Sequence, residues 1–167
     1  MSSREKLIEA TRRAILHQGH GSVTVKSIAK EAGLNHGLIH HYFGSKENLF
    51  VEVIRDIDRV FREGLAAQTS KGDLTGFISK KFLGQDESMG LVVEFMAMAR
   101  TMPEVKKAVA QVIQHRKAYF AKFLQLEEHQ AHLFMTSILG SVLLKNVGEP
   151  VDVERILKKL LESLGEK

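Results

Sequence analysis

Apolar residues recur along this chain at intervals of three and four, in stretches broken by glycine, proline or short polar clusters. That spacing is the period of a helix with one buried face, and the strict alternation of a strand is nearly absent. The pattern predicts an all-α chain of about nine helices. The first runs from about Arg4 to Gln18, with Leu7, Ala14 and Ile15 on one face, Ser2 and Glu5 spaced as a capping box and Gly19 as its stop. Thr24 caps a second through about Glu31, with Ile28 and Ala29 inward. The fourth, capped by Ser45, runs to about Thr69 and puts Leu49, Phe50, Val53, Ile54, Ile57, Phe61 and Leu65 inside. Five more fall near Leu74–Leu83, Ser88–Thr101, Glu104–Leu126, Glu128–Asn146 and Val153–Leu164, separated by Gly84, Pro103, the 126–128 junction, and Gly148 with Pro150.

The third element departs from the others. Ala32-Gly33-Leu34 reads as a tight turn, Asn35 as an N-cap, and the next eight residues make barely two turns before Gly44 stops them. A helix this short is marginal in water and needs neighbours to hold it. At 100 degrees per residue Ile39 and Phe43 share an inward stripe, Gly37, Leu38 and His41 look the other way, and His40 and Tyr42 flank that outward face. An outward leucine beside a helix-weakening glycine suits a groove better than solvent. A leucine can meet a thymine methyl, and histidine and tyrosine can reach base edges or phosphates. Helix, tight turn, helix is the order of a helix-turn-helix, whose second member enters the major groove of duplex DNA.

Composition narrows the possibilities. The 167 residues fit one or two compact domains, and no apolar run has transmembrane length. The opening M-S-S-R-E-K carries no signal peptide, so a cytoplasmic location is expected. Cysteine is absent, which removes disulfides, thiolate metal sites and thiol redox sensing together. The net charge of +4 is mild, but residues 1–50 hold seven Lys or Arg against four Glu, with five of the eight histidines. Charge alone divides evenly between an ordinary solvated surface and a DNA-binding one.

The segment from Leu7 to Phe50, with T-V-K-S-I-A, A-G-L and Y-F-G-S-K-E-N-L in register, resembles the DNA-binding region of the tetracycline-repressor (TetR) family of bacterial transcriptional regulators. The resemblance implies phosphate contacts at Thr24, Lys26, Tyr42 and Lys46, and groove contacts at His36, Gly37, Leu38, His40 and His41, with Asn35 at the helix start completing the DNA-binding set. His36, Leu38 and His40 stand where the family commonly has Lys, Thr and Tyr, and His20 where an aromatic is usual. The order of helices resembles the whole family architecture: a helix-turn-helix domain at 1–47 and a ligand-binding and dimerisation domain at 48–167, shorter than is usual.

Three constellations remain. Met89, Phe95, Met96, Met98, Met102, Phe61, Phe77, Phe82, Phe120 and Phe123 make either a plain core or, as the family resemblance suggests, a small pocket for an apolar or aromatic ligand, with Arg100 and His115 as its polar groups. Ser137, Gly140 and Ser141 leave a flat strip beside Leu133, Ile138, Val142 and Leu144, and Val153, Ile156, Leu157, Leu160, Leu161 and Leu164 make a broad apolar face; together they suit the four-helix contact of a homodimer. Two-fold symmetry would then set two recognition helices on a near-palindromic site in double-stranded DNA. His36 with His40, and Glu128 with His129 and His132, have metal-like spacings but are expected to be a DNA face and a wet helix start. No catalytic motif, cofactor or metal is expected. The expected function is a repressor released from its operator by a small molecule. The alternative is a DNA-binding regulator whose C-terminal half answers to a protein partner.

Overall fold

The computed structural model describes residues 1–83 and 88–165; the break expected at Gly84 lies outside the described residues, as do the side chains of Phe82 and Met89. The described residues form nine α-helices, one short 3-10 turn at His20–Ser22 and no strand. The helices are α1 (Ser3–Gln18), α2 (Val25–Ala32), α3 (Gly37–Phe43), α4 (Lys46–Ala66), α5 (Lys71–Leu83), α6 (Ser88–Met98), α7 (Pro103–Leu124), α8 (Glu128–Asn146) and α9 (Val153–Gly165). They group into two compact units, one of Met1–Arg59 with Gly90–Ala110 and one of Val60–Met89 with Gln111–Lys167.

In the first unit α1 starts as its sequence dictates. The Ser2 hydroxyl accepts from the Glu5 N–H at 3.2 Å, and the Ser2 N–H donates to the Glu5 carboxylate at 2.8 Å. Leu7, Ile8, Ala10, Ala14 and Ile15 are buried, and the one polar group among them, Thr11, donates its hydroxyl to the Leu7 carbonyl at 2.7 Å. Thr24 caps α2, with Ser27 as the reciprocal partner in place of the usual glutamate. Gly33 ends α2 at φ 65° and ψ 33°, its N–H on the Lys30 carbonyl at 3.2 Å while the Leu34 N–H reaches the Ala29 carbonyl at 2.9 Å. This left-handed closure turns the chain into α3. The core of the unit is completed by Ile28, Ile39, Phe43, Leu49, Phe50, Val53 and Ile54, together with Leu91, Phe95, Met98 and Val105 from residues 90–110.

In the second unit α8 and α9 pack against each other and against α5. Phe120 and Phe134 meet edge to face at 5.1 Å, and Phe61 lies 5.4 Å from Phe77 with the Arg116 guanidinium 4.0 Å over its ring. Gly64 is a necessity of close approach, since a Cβ there would stand 2.6 Å from the Phe77 ring.

Several boundaries move. α4 stops at Ala66 rather than Thr69, where the Gln68 side-chain amide donates to the Gly64 carbonyl at 2.7 Å and competes with another turn. α6 ends at Met98 rather than Thr101, and α7 begins on Pro103, which suits a first helical position because it has no N–H to lose. α7 ends at Leu124 because Gln125 turns left-handed at φ 56°. Within α4, Ile57, expected inside, is only partly buried, while Asp58 beside it is 4% exposed.

Gly33→Ala meets nothing within 4 Å of its new Cβ, so its cost is backbone alone. Holding an alanine left-handed costs about 1 kcal/mol or more even after the gain from a stiffer unfolded chain. Urea denaturation should place Gly33→Ala below the parent by that amount and Gly33→Asn between them; coincident midpoints would contradict the turn geometry.

Candidate nucleic-acid interface

α3 has seven residues, of which Ile39 is fully buried and Phe43 7% exposed. These two hold it on the core, and His36, Gly37, His40, His41 and Tyr42 are exposed, with Leu38 half-buried among them. The cap position of the helix is His36 rather than the expected Asn35, which lies one residue earlier and whose side-chain oxygen accepts from the Gly37 N–H at 2.8 Å. That oxygen also explains the glycine from within, because a Cβ on Gly37 would come to 3.2 Å of it. The outward face carries no fixed charge: a small gap, a leucine, imidazoles and a phenol, the His41 and Tyr42 rings meeting edge to face at 4.9 Å. Charge comes from its flanks, where Lys26 and Lys30 lie exposed on α2.

Three interactions invisible in sequence fix this face. Lys46 donates its ammonium to the Val23 carbonyl at 2.9 Å and lies 5.5 Å over the Phe50 ring, so it ties the start of α4 to the start of α2 and has two hydrogens left for a phosphate. Arg4 pairs with Glu52 and lies 5.4 Å over the Phe43 ring. His20 is clamped by Glu94 of α6, which accepts from its backbone N–H at 2.8 Å and meets its Nδ1 at 2.5 Å. Burial pushes the Glu94 carboxyl up, but the hydrogen bonds from the His20 backbone and ring, with the charge of that ring, outweigh it and leave the carboxyl below its ordinary value. A second carboxylate makes a similar tie: Glu47 of α4 accepts from the Glu104 N–H at the start of α7 at 3.0 Å. Both partners lie more than 50 positions away in the chain, so no local pattern could have named them.

Residues 7–53, which contain all of this face, match the family model for bacterial regulatory proteins of the tetR family. Over those residues the chain is similar to that family. The chain is also similar to the transcriptional regulator BetI of Rhizobium meliloti (strain 1021), 32% identical over 112 residues. That match takes in 62% of this chain and 55% of BetI, so the chain spans about half the length of this relative. A transcriptional regulator from Rhodococcus sp. Rha1 shares the fold with a TM-score of 0.84 at 18% identity, over 98% of this chain and 96% of that one. The multidrug binding protein EbrR, solved with ethidium, does so with a TM-score of 0.79 at 20% identity, over 95% and 98%.

Among the residues expected around a ligand, Phe95, Met96, Met98, Arg100 and Met102 belong to the first unit and Phe61, Phe77, His115 and Phe120 to the second. Phe61, Phe95, Met98 and Phe120 are buried, Phe77, Met96 and Met102 partly so, and Arg100 and His115 are exposed. Of the expected dimer residues, Leu144 and Ile156 are exposed and Ser137, Gly140, Leu160 and Leu164 partly exposed. Ser141 and Leu157 instead face the protein's own interior. The Ser141 hydroxyl donates to the Ser137 carbonyl at 2.7 Å, and Leu157 shares the inward stripe of α9 with Val153 one turn before. Leu133, expected beside the strip, is exposed, whereas Ile138 and Val142, also expected there, are buried, and two exposed residues were not expected there, Leu143 and Val147. Glu128 and His132 both meet the Lys117 ammonium, at 3.3 and 3.2 Å. Among the described residues no helix is long and apolar enough to cross a membrane.

A carboxyl held below its unfolded value of 4.5 stabilises the fold above that pH and loses its contribution as pH falls through the lower, folded value. Glu94→Gln should therefore be less stable than the parent near neutrality, with the gap closing below about pH 4.5 in denaturation curves. A constant gap down to pH 3 would show that Glu94 is not stabilised by charge.

Proposed function

We propose that the chain is a sequence-specific DNA-binding repressor that acts as a homodimer and is released by a small apolar or aromatic molecule. The observation that carries the reading is α3: a helix too short to stand alone, seated by Ile39 and Phe43, whose exposed face is uncharged and sets a leucine beside a glycine. Gly37, Leu38, His40 and His41 meet base edges, while Thr24, Lys26, Tyr42 and Lys46 position the protein on phosphates. In this reading residues 1–47 bind DNA and residues 48–167 sense and dimerise.

The dimer face is supported by α8, where Leu133, Ser137, Gly140 and Leu144, followed by Val147 just past its end, recur at alternating steps of four and three and are all exposed or partly exposed. That is the seam of two helices packed side by side, and the small residues in its middle allow close approach. Exposed Ile156, with the partly exposed Leu160 and Leu164, adds a second row from α9. The ligand reading is supported by the likeness in fold to EbrR, a multidrug binding protein, and by the aromatic and thioether content of the helices. Release is a shift of population: a ligand that binds better when the recognition helices are wrongly spaced weakens DNA binding, and DNA weakens ligand binding equally.

Selection from a random duplex pool at near-physiological salt tests the reading. An inverted repeat is expected, and recovery of unpatterned DNA would overturn sequence-specific binding. On the selected site Lys46→Ala should weaken all duplexes about equally and lower the salt slope by about 1, whereas Leu38→Ala should relax preference at one base pair, by about 1–3 kcal/mol or less. Uniform weakening by Leu38→Ala would remove that residue from the groove.

A further inference from the structure

His40 is fastened to the end of its own helix. Its Nδ1 lies 3.2 Å from the Gly44 carbonyl oxygen, while the Gly44 N–H closes back on the His40 carbonyl at 3.0 Å. A carbonyl oxygen only accepts, so Nδ1 carries the hydrogen, and in the neutral ring Nε2 is then a bare acceptor. An acceptor nitrogen cannot bond a phosphate oxygen, which also only accepts. In the major groove it can meet the exocyclic amines of adenine and cytosine, whereas guanine O6 and N7 and thymine O4 repel it. The ring is exposed, about 80 degrees round the helix from the Ile39–Phe43 stripe, at the rim of the face that carries Gly37, Leu38 and His41.

We infer that His40 is a specificity-determining residue that reads the amino group of an adenine or cytosine, its tautomer fixed by the Gly44 carbonyl. The inference rests on the DNA-binding reading above and adds to it the class of base that this position accepts. A helix cap that happened to be a histidine would hold the end of α3 equally well without caring which base lies opposite.

The test is selection of duplexes at pH 8, above the ordinary imidazole range near about 6.5, with the parent protein and with His40→Ala. Each half-site selected by the parent should contain one position that prefers adenine or cytosine on one strand, and His40→Ala should lose preference there alone. Duplexes carrying purine for adenine, or 2-pyrimidinone for cytosine, then delete single amino groups. At that position the parent should lose roughly three- to tenfold in affinity, as for one hydrogen bond, and His40→Ala should lose nothing further. The analogue scan uses the unaltered protein, so it stands even if the variant folds poorly. Tolerance of the analogues at every position, or equal weakening of all duplexes by His40→Ala, would overturn the inference while leaving DNA binding intact. Recovery of no motif by the parent would overturn both.

Discussion

Seven residues make about two turns of helix, and two turns are not stable in water. α3 exists because Ile39 and Phe43 are taken into a core built by α1, α2 and α4, and the rest of the first unit can be understood as what makes that docking reproducible. The left-handed Gly33 sets the angle at which the chain leaves α2, and Asn35 supplies the acceptor for the first free N–H. Lys46 fixes the start of α4 to the start of α2 across 23 positions. Only with these in place can a face of one leucine, three histidines and a tyrosine be offered in one orientation. Because that face lacks arginine and lysine, the proposed binding to DNA would draw its affinity from the flanks and its selectivity from shape and neutral hydrogen bonds.

Much of this was legible because it is local. Ser2 with Glu5, Thr24, Ser45 and the stops at Gly19, Gly33 and Gly44 all act within four residues, and the structure uses each where the spacing placed it. The inward positions of α1 to α4 largely followed from periodicity; in α4 the expected Ile57 is only partly buried while Asp58 is buried, since a carboxylate has no local signal for burial. What periodicity could not give was partnership. The clamp of Glu94 on His20 and the tie of Glu47 to the start of α7 join residues far apart in the chain, so residues 90–110 group with the N-terminal helices in a way that no segment boundary announces.

The second half was legible as helices and ambiguous as surfaces. An apolar residue on a helix reads the same whether its partner is the protein's own core or another molecule. Leu157 and Ser141 are taken by the interior, while Leu133, Leu144 and Val147 are left out on α8, and only three-dimensional packing sorts the two groups. The aromatic and methionine-rich positions carry the same ambiguity. Phe120 is spent on Phe134, and Phe61 on Phe77 and Arg116, so their packing partners are identified by position and not by composition.

In the proposed complex two copies of α3 enter the DNA together, and the footprint of the purified protein on its selected duplex tests this most directly. Hydroxyl-radical cleavage read together with the mass of the complex should give two chains per duplex and two protected patches, centred about one helical turn or a multiple of it apart on one face of the DNA. A single chain bound over one continuous patch would contradict the account.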